Sequence, residues 1–558
     1  MRKTLLIIIL LIFFKGYSQI APDKYFVRFT DKNDSPYSVN HPEEFLTQRA
    51  IDRRIRQGIA VVENDIPVNP QYLQGVADEG AVLLNVTKWL NGVTIFTESQ
   101  SVLDSVLALP YVEHVLKLVD RGIPSHKKSF FENETYKEFI PDGQLTPNGV
   151  DELAYGMSRH QIDQINGIPL HNLGYQGQGM VIAVLDGGFD GVPEHPVFDS
   201  LWEKNQILGT KDFVHPHDQD VFTESEHGKS VLSTMGANLP GQMIGTAPEA
   251  SYWLLRSEDV NSENIIEEYN WVSAAEYADS VGADVINSSL SYRDFDLPQW
   301  DHSYEDLDGN TAVATRGADY AASKGILVCN SAGNSAGGDF PWNAAPADAD
   351  SVLSIGAVTS GGSWASFSSV GPTVDGRIKP AVAAMGQGTT VARGTSSVGT
   401  GNGTSYSSPI ITGMSACLWQ ANPSMKVMEI QAAIKASASH AETPNDTIGW
   451  GIPDYMRAHT IMTEIENQAG NLQELVVSLS PNPFKDVLYL RFAQSKEKQA
   501  EIELYNILGV LLFREEISIN GTGTIEIFKN KLSWIKSGIY FLRISSGKQL
   551  ITKKVVRQ

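Results

Sequence analysis

Val181-Ile182-Ala183-Val184-Leu185-Asp186-Gly187-Gly188 reads as a buried strand that ends on a carboxylate and a glycine turn. An unbroken apolar run this short suits a strand covered on both faces, which is the mark of a parallel sheet. The form recurs in Val285-Ile286-Asn287, Ile326-Leu327-Val328-Cys329 and Val352-Leu353-Ser354-Ile355, with helical stretches over 264–281 and 311–323 between them. Such alternation predicts an α/β domain: a mainly parallel sheet flanked by helices, with its ligands at the carboxyl ends of the strands.

Polar residues fall at those ends. Asp186 closes the first strand, where a carboxylate is either a turn cap or an orienting group. His227-Gly228 opens a helical pattern carried by Val231, Leu232 and Met235, and Asn334 follows the strand that ends near Cys329. Gly403-Thr404-Ser405 precedes Pro409 and the apolar run Ile410, Ile411, Met414, Cys417 and Leu418, so a hydroxyl stands at the mouth of a helix. Taken alone, Gly-Thr-Ser there is a plain cap or a nucleophile in the positive field of a helix N-terminus. Together the four residue types meet the needs of acyl transfer. A serine hydroxyl requires a neutral imidazole to take its proton, a carboxylate to hold the tautomer, and a preformed donor for the oxyanion.

The rest of the chain sets bounds. Its 558 residues exceed one compact domain. A formal charge of −22 argues against nucleic acid or anionic membrane as the main partner. Cys329 and Cys417 lie in apolar runs and read as free core thiols. Residues 1–18, with Arg2 and Lys3 ahead of an apolar run and small residues near Gly16 to Ser18, have the layout of a secretory signal peptide. Residues 19–118 alternate short strands (25–29, 81–86, 93–97, 111–118) with helices (42–55, 99–109), which suggests a small α+β domain of the split βαβ type. Residues 119–152, with Pro124, Pro141 and Pro147, read as an exposed, cleavable linker. From about 475 to 558, seven short strand patterns separated by turns predict a β-sandwich.

The α/β region, 153–465, resembles a subtilisin-like serine peptidase (S8 family). The likeness is carried by 177–186, His195-Pro196, His227-Gly228, Gly245-Thr246-Ala247-Pro248, Asp284 to Asn287, Ser331-Ala332-Gly333-Asn334, Gly403 to Pro409 and Gly449-Trp450-Gly451, and by the chain order Asp, His, Ser. By this resemblance Asp186 orients, His227 is the general base and then acid, Asn334 donates to the oxyanion, and Ser405 is the nucleophile. Ser289-Leu290-Ser291 resembles the strand that pairs with substrate, and Gly333 the floor beside the first specificity pocket. There are departures. Gly228-Lys229-Ser230-Val231-Leu232-Ser233 lacks the family's second histidine and second glycine, Tyr406 replaces a methionine, and Ser291 replaces a glycine. Tyr406 and Ser291 are expected to narrow the pocket and favour modest side chains at P1.

The resemblance implies that the first domain is an inhibitory, folding-assisting propeptide. The C-terminal region resembles the sorting domain of the type IX secretion system, carried by Ser480-Pro481-Asn482-Pro483, 504–509, Gly538 to Phe541 and Lys553 to Val556. The implied product is an exported or surface-held endopeptidase that acts on polypeptides and requires no cofactor for catalysis. Structural calcium is common in the family; Asp294, Asp296, Asp301, Glu305, Asp306 and Asp308 are either ligands for such an ion or a solvated acidic loop. Sequons at Asn287 and Asn402 would put glycans beside the buried strand and the nucleophile, so the chain was not shaped in a glycosylating compartment. An imidazole base of ordinary pKa predicts activity that falls in acid. The alternative is a surface-displayed binding protein on an inactive peptidase fold.

Overall fold

The computed structural model describes residues 23–119, 136–138, 151–471 except 219, and 477–558 apart from short gaps at 493–498, 507–509, 519–522, 530, 533 and 547–548. The expected signal peptide, most of the linker and the stretch 472–476 lie outside the described residues. The chain divides into two units, 1–461 and 462–558. Among the described residues no helix is long and apolar enough to cross a membrane.

Seven parallel strands form the centre of the larger unit. From edge to edge they are Val382–Met385, Leu353–Val358, Leu327–Ser331, Val285–Ser288, Val181–Asp186, Ser251–Arg256 and Ile207–Asp212. The chain starts in the middle with Val181–Asp186, goes to the edge with Ile207–Asp212, inserts Ser251–Arg256 between them, and then crosses to fill the other side. Strand order therefore reverses between Val181–Asp186 and Val285–Ser288, and a crevice opens beyond the carboxyl ends of strands at such a point. The sequence pattern missed Ile207–Asp212, Ser251–Arg256 and Val382–Met385. Ile207–Asp212 is an edge strand, largely half-buried, so it carries charge and a glycine in place of an apolar run.

The first domain is a four-stranded antiparallel sheet in the order Val82–Thr87, Gly92–Phe96, Lys24–Phe29, Val112–Lys117, as the split βαβ pattern predicts. Its first helix is shorter than expected. Pro42–Glu44 makes only a single turn, and the helix begins at Gln48 because the Thr47 side chain accepts the Ala50 N–H and caps it. A helix over Pro70–Asp78 was not anticipated, although Asn69-Pro70 carries a cap and a first-turn proline, and the Asn69 side chain accepts from Gln71 N. This sheet packs on the peptidase unit: Phe26, Trp89, Leu118 and Val119 share one apolar core with Tyr269, Trp271 and Val272 of the helix Ile266–Val281. The rings of Phe26 and Tyr269 lie 4.6 Å apart.

Further on, a hairpin of Gln387–Arg393 and Ser397–Asn402 adds the linker segment Tyr136–Glu138 as an antiparallel third strand. The smaller unit holds all seven expected strands, in sheets of three and four around a shared core that includes Leu488, Leu490, Ile502, Leu504, Leu542 and Ile544.

Candidate active site

Asp186 ends the central strand with its side chain wholly buried. Its Oδ1 accepts the Gly187 N–H at 2.8 Å and lies 2.8 Å from His227 Nδ1. A carboxylate at Nδ1 sets the proton there and makes Nε2 the basic nitrogen. His227 is the first residue of the helix His227–Gly236. That helix approaches the strand end closely: a Cβ on Gly228 would stand 2.3 Å from the Gly188 carbonyl oxygen, so only glycine lets the imidazole reach Asp186.

Ser405 is the second residue of the helix Thr404–Ala421, and its Oγ is buried with no hydrogen-bond partner among the described residues. Ser289 Oγ donates to the Ser405 carbonyl at 3.0 Å, which ties the turn that bears Ser405 to the expected substrate strand. Asn287, one sequon, lies wholly buried: its Oδ1 accepts from Ser408 Oγ and Thr412 Oγ1, and its Nδ2 donates to Ser289 Oγ. The ring of Tyr406, the residue after Ser405, has its centroid 6.0 Å from that of His227.

Asn334 reaches the same turn from the neighbouring strand end. Its Oδ1 accepts from both the backbone N–H of Thr404, at 2.9 Å, and Thr404 Oγ1, at 3.0 Å, while its Nδ2 is buried without a partner among the described residues. Thr404 Oγ1 also accepts the Gly333 N–H at 3.1 Å. The two contacts to Oδ1 fix the amide so that Nδ2 faces away from Thr404. Sequence reasoning missed this role of Thr404; it stood inside a quoted motif, but its partner is 70 residues distant.

The structure thus brings Asp186 to His227, sets Ser289, Gly333 and Asn334 against the turn that bears Ser405, and places Ser291 beside Gly333. The Leu290 carbonyl accepts from Asn330 Nδ2. Gly333 has φ +104, and a Cβ there would stand 2.9 Å from Ser369 Oγ and 3.6 Å from Ser291 Oγ. Of the two side chains expected to narrow the pocket, only Ser291 stands here. Tyr406 is wholly buried beneath the hairpin, where a Cβ on Gly401 would meet its ring at 2.7 Å.

The departures in the helix His227–Gly236 also have partners on that hairpin. Lys229 Nζ donates to the Gly394 carbonyl and to Glu226, Ser230 Oγ donates to the Ala392 carbonyl, and Ser233 Oγ accepts the Ala392 N–H. Cys329 and Cys417 are free and buried as expected, and burial pushes the Cys329 thiol up to about 12, which leaves it unreactive. The acidic run 294–308 does not converge. Asp301 accepts from Phe295 N, Asp306 from Ser303 N, Asp308 from Asn310 N and Thr311 N, and Asp296 from Glu263 N, while Asp294 pairs with Arg293. Among the described residues the carboxylates that do converge are Glu258, Glu263 and Glu267.

Three family models match the chain: the subtilase family over 177–451, the peptidase S8 propeptide domain of Bacteroidota over 24–132, and a secretion system C-terminal sorting domain over 478–558. Subtilisin NAT of Bacillus subtilis subsp. natto is 29% identical over 305 residues, covering 54% of this chain and 70% of its own. Subtilisin E of Bacillus subtilis (strain 168) matches with the same identity and coverage. Serine protease AprX of the latter organism is 30% identical over 290 residues, covering 46% of this chain and 61% of its own. Residues 177–451 thus form a subtilase-family serine peptidase domain, with an S8 propeptide domain ahead of it and a secretion sorting domain behind.

Proposed function

We propose that the chain is the precursor of an exported serine endopeptidase in which Ser405 is the nucleophile, His227 the base, Asp186 its orienting carboxylate and Asn334 the oxyanion donor. Ser405 Oγ attacks the scissile carbonyl carbon as His227 Nε2 takes its proton. The imidazolium so formed is stabilised by Asp186, and the carbonyl oxygen, now an anion, receives the Nδ2–H of Asn334. The tetrahedral species collapses as His227 returns the proton to the leaving amine, which leaves an acyl ester on Ser405. Water, deprotonated by His227, attacks that ester, and the acid departs while Ser405 regains its proton. Substrate enters extended beside Ser289, Leu290 and Ser291. The observation that carries this reading is the pairing of a fixed Asp186–His227 contact with two buried groups, Ser405 Oγ and Asn334 Nδ2, that hold no partner among the described residues.

The segment 19–118 acts as the inhibitor and folding template of the peptidase domain 153–465, and the signal segment 1–18 delivers the chain for outer-membrane export through the tail 475–558. Burial of Leu118 and Val119 at the peptidase surface supports the inhibitory role, since the chain leaves that domain already docked. Ser291 beside Gly333 favours modest P1 side chains, and a profiling assay in which Arg or Trp ranked first would exclude that preference. The test of the main reading is the intact mass of the expressed chain beside Ser405→Ala, each treated with a fluorophosphonate. The parent loses its first domain and takes the label, while the variant stays long and unlabelled. A parent that stays long and unlabelled would point to a binding scaffold.

A further inference from the structure

Arg256 ends the strand Ser251–Arg256, where the ladder sets it between two carboxylate residues: its backbone lies opposite Asp186 on one side and opposite Asp212 on the other. Its side chain is buried. Nη1 donates to Asp212 Oδ2 at 3.0 Å, while Nε donates to the Gly187 carbonyl at 3.2 Å. Asp212 is fixed in turn, since its Oδ1 accepts the N–H groups of Val214 and His215 at 2.7 and 2.8 Å. One guanidinium thus joins the ends of Ile207–Asp212, Ser251–Arg256 and Val181–Asp186.

The contact to Gly187 falls at a sensitive point. Asp186 is followed by Gly187 and Gly188, the residue type with the most backbone freedom, so the turn after the carboxylate must be held from outside. The Gly187 N–H donates to Asp186 Oδ1, the atom that also faces His227 Nδ1. Arg256 holds the carbonyl of that same glycine, and the next carbonyl, of Gly188, accepts the Gly228 N–H of the helix His227–Gly236 at 3.0 Å. Stability alone does not account for Arg256. A buried ion pair adds little over apolar residues of similar volume, and Arg256 Nη2 is buried with no partner among the described residues, so the group is incompletely satisfied.

We infer that Arg256 is a positioning residue for Asp186: by holding the Gly187 carbonyl it fixes the turn that aims the carboxylate at His227. The inference rests on the proposed mechanism and adds to it a side chain that acts through the backbone. Asp186 serves the imidazole only while Oδ1 stays in line with Nδ1, because that contact sets the tautomer and stabilises the imidazolium. The neighbouring strand supports the same end, since Ser257 N donates to the Asp186 carbonyl at 3.0 Å. Main-chain pairing sets where Asp186 stands, and Arg256 sets how its turn leaves the sheet.

The test compares the enzyme with the double variant Arg256→Met, Asp212→Asn, which removes one charge of each sign and keeps an oxygen for the N–H groups of Val214 and His215. Loss of an orienting carboxylate costs about 10⁴ in kcat, so a carboxylate that is present but loosely held is expected to cost about tenfold, with KM unchanged. The acid limb of the kcat profile moves to lower pH, because a loosened Asp186 stabilises the imidazolium less and His227 gives up its proton sooner. Fluorophosphonate labelling, which needs no peptide binding, slows by the same factor. If the double variant does not fold, Arg256→Lys takes its place: the charge beside Asp212 stays, one ammonium nitrogen replaces the two of the fork, and the same changes are expected. A folded variant with a lowered Tm but the parent's kcat, acid limb and labelling rate overturns the inference and makes Arg256 a structural residue only. A parent that takes no label overturns the mechanism itself, and this inference with it.

Discussion

In the cleft, Ser405 Oγ and Asn334 Nδ2 are buried with no partner among the described residues, whereas near the other end of the helix Ile266–Val281 a single carboxylate, Asp279, receives three cations of the first domain: Lys88, Arg53 and Arg54. Arg54 also forks onto Asp65, and the neighbouring Glu276 accepts the backbone N–H groups of Lys88 and Trp89 at 2.7 and 2.9 Å. Both regions bury polar groups at a cost. In the cleft, on the proposed mechanism, the missing partner is the reacting substrate, and stabilisation comes only as charge develops on it. At the interface the partners are present from the start, and water replaces them once the first domain leaves. The first arrangement serves reaction, the second a complex that must form and later part.

The interface gives the larger thermodynamic effect. Asp279→Ala leaves Arg53 and Lys88 buried without their counter-charge, and removing one member of a buried pair costs about 3–5 kcal/mol. Burial pushes the Asp279 carboxyl up, yet Lys88, Arg53 and Arg54 outweigh burial and hold it below its ordinary value. Denaturant unfolding of the Ser405→Ala precursor, with and without Asp279→Ala, reads the loss directly. A change under 1 kcal/mol would mean that water already reaches these cations, and the contrast with the cleft would fail.

Asn334→Ala tests the other region. Loss of one oxyanion donor lowers kcat by about 10²–10³-fold with little change in KM, because the contact forms only in the transition state. Equal losses in binding and turnover would instead make Asn334 a ground-state contact. The variant also removes Oδ1, the acceptor for Thr404 N and Thr404 Oγ1, so its melting is measured beside the parent's, and an unchanged KM shows that the cleft has kept its shape.

The cleft was legible because each of its residues ends a hydrophobic run or opens a helix, so type and position coincide at Asp186, His227, Asn334 and Ser405. The interface was not. Arg53, Arg54, Lys88 and Asp279 are four ordinary charges in unrelated segments, and only the docking of one domain on another brings them together. The acidic residues teach the same lesson. The dense run 294–308 drew attention, yet most of its carboxylates cap nearby turns, whereas Glu258, Glu263 and Glu267 are sparser and meet because a strand end, a loop and a helix start curl around one point. Density along a chain is a weak guide to convergence in space.

The smallest predicted effect sharpens the comparison most, since it asks whether the cleft's empty donor is itself held by a local network like that of the interface. Thr404→Val removes the hydroxyl that donates to Asn334 Oδ1 and accepts the Gly333 N–H, but keeps the backbone N–H that also holds Oδ1. One of two fixing contacts is lost, so kcat should fall about tenfold, the worth of a hydrogen bond of ~1.4 kcal/mol. If Thr404 acts only by aiming Asn334, the double variant Thr404→Val, Asn334→Ala should be no slower than Asn334→Ala alone, because there is no longer an amide to aim. Additive losses would show that Thr404 acts on Ser405 by another route, through the helix start they share.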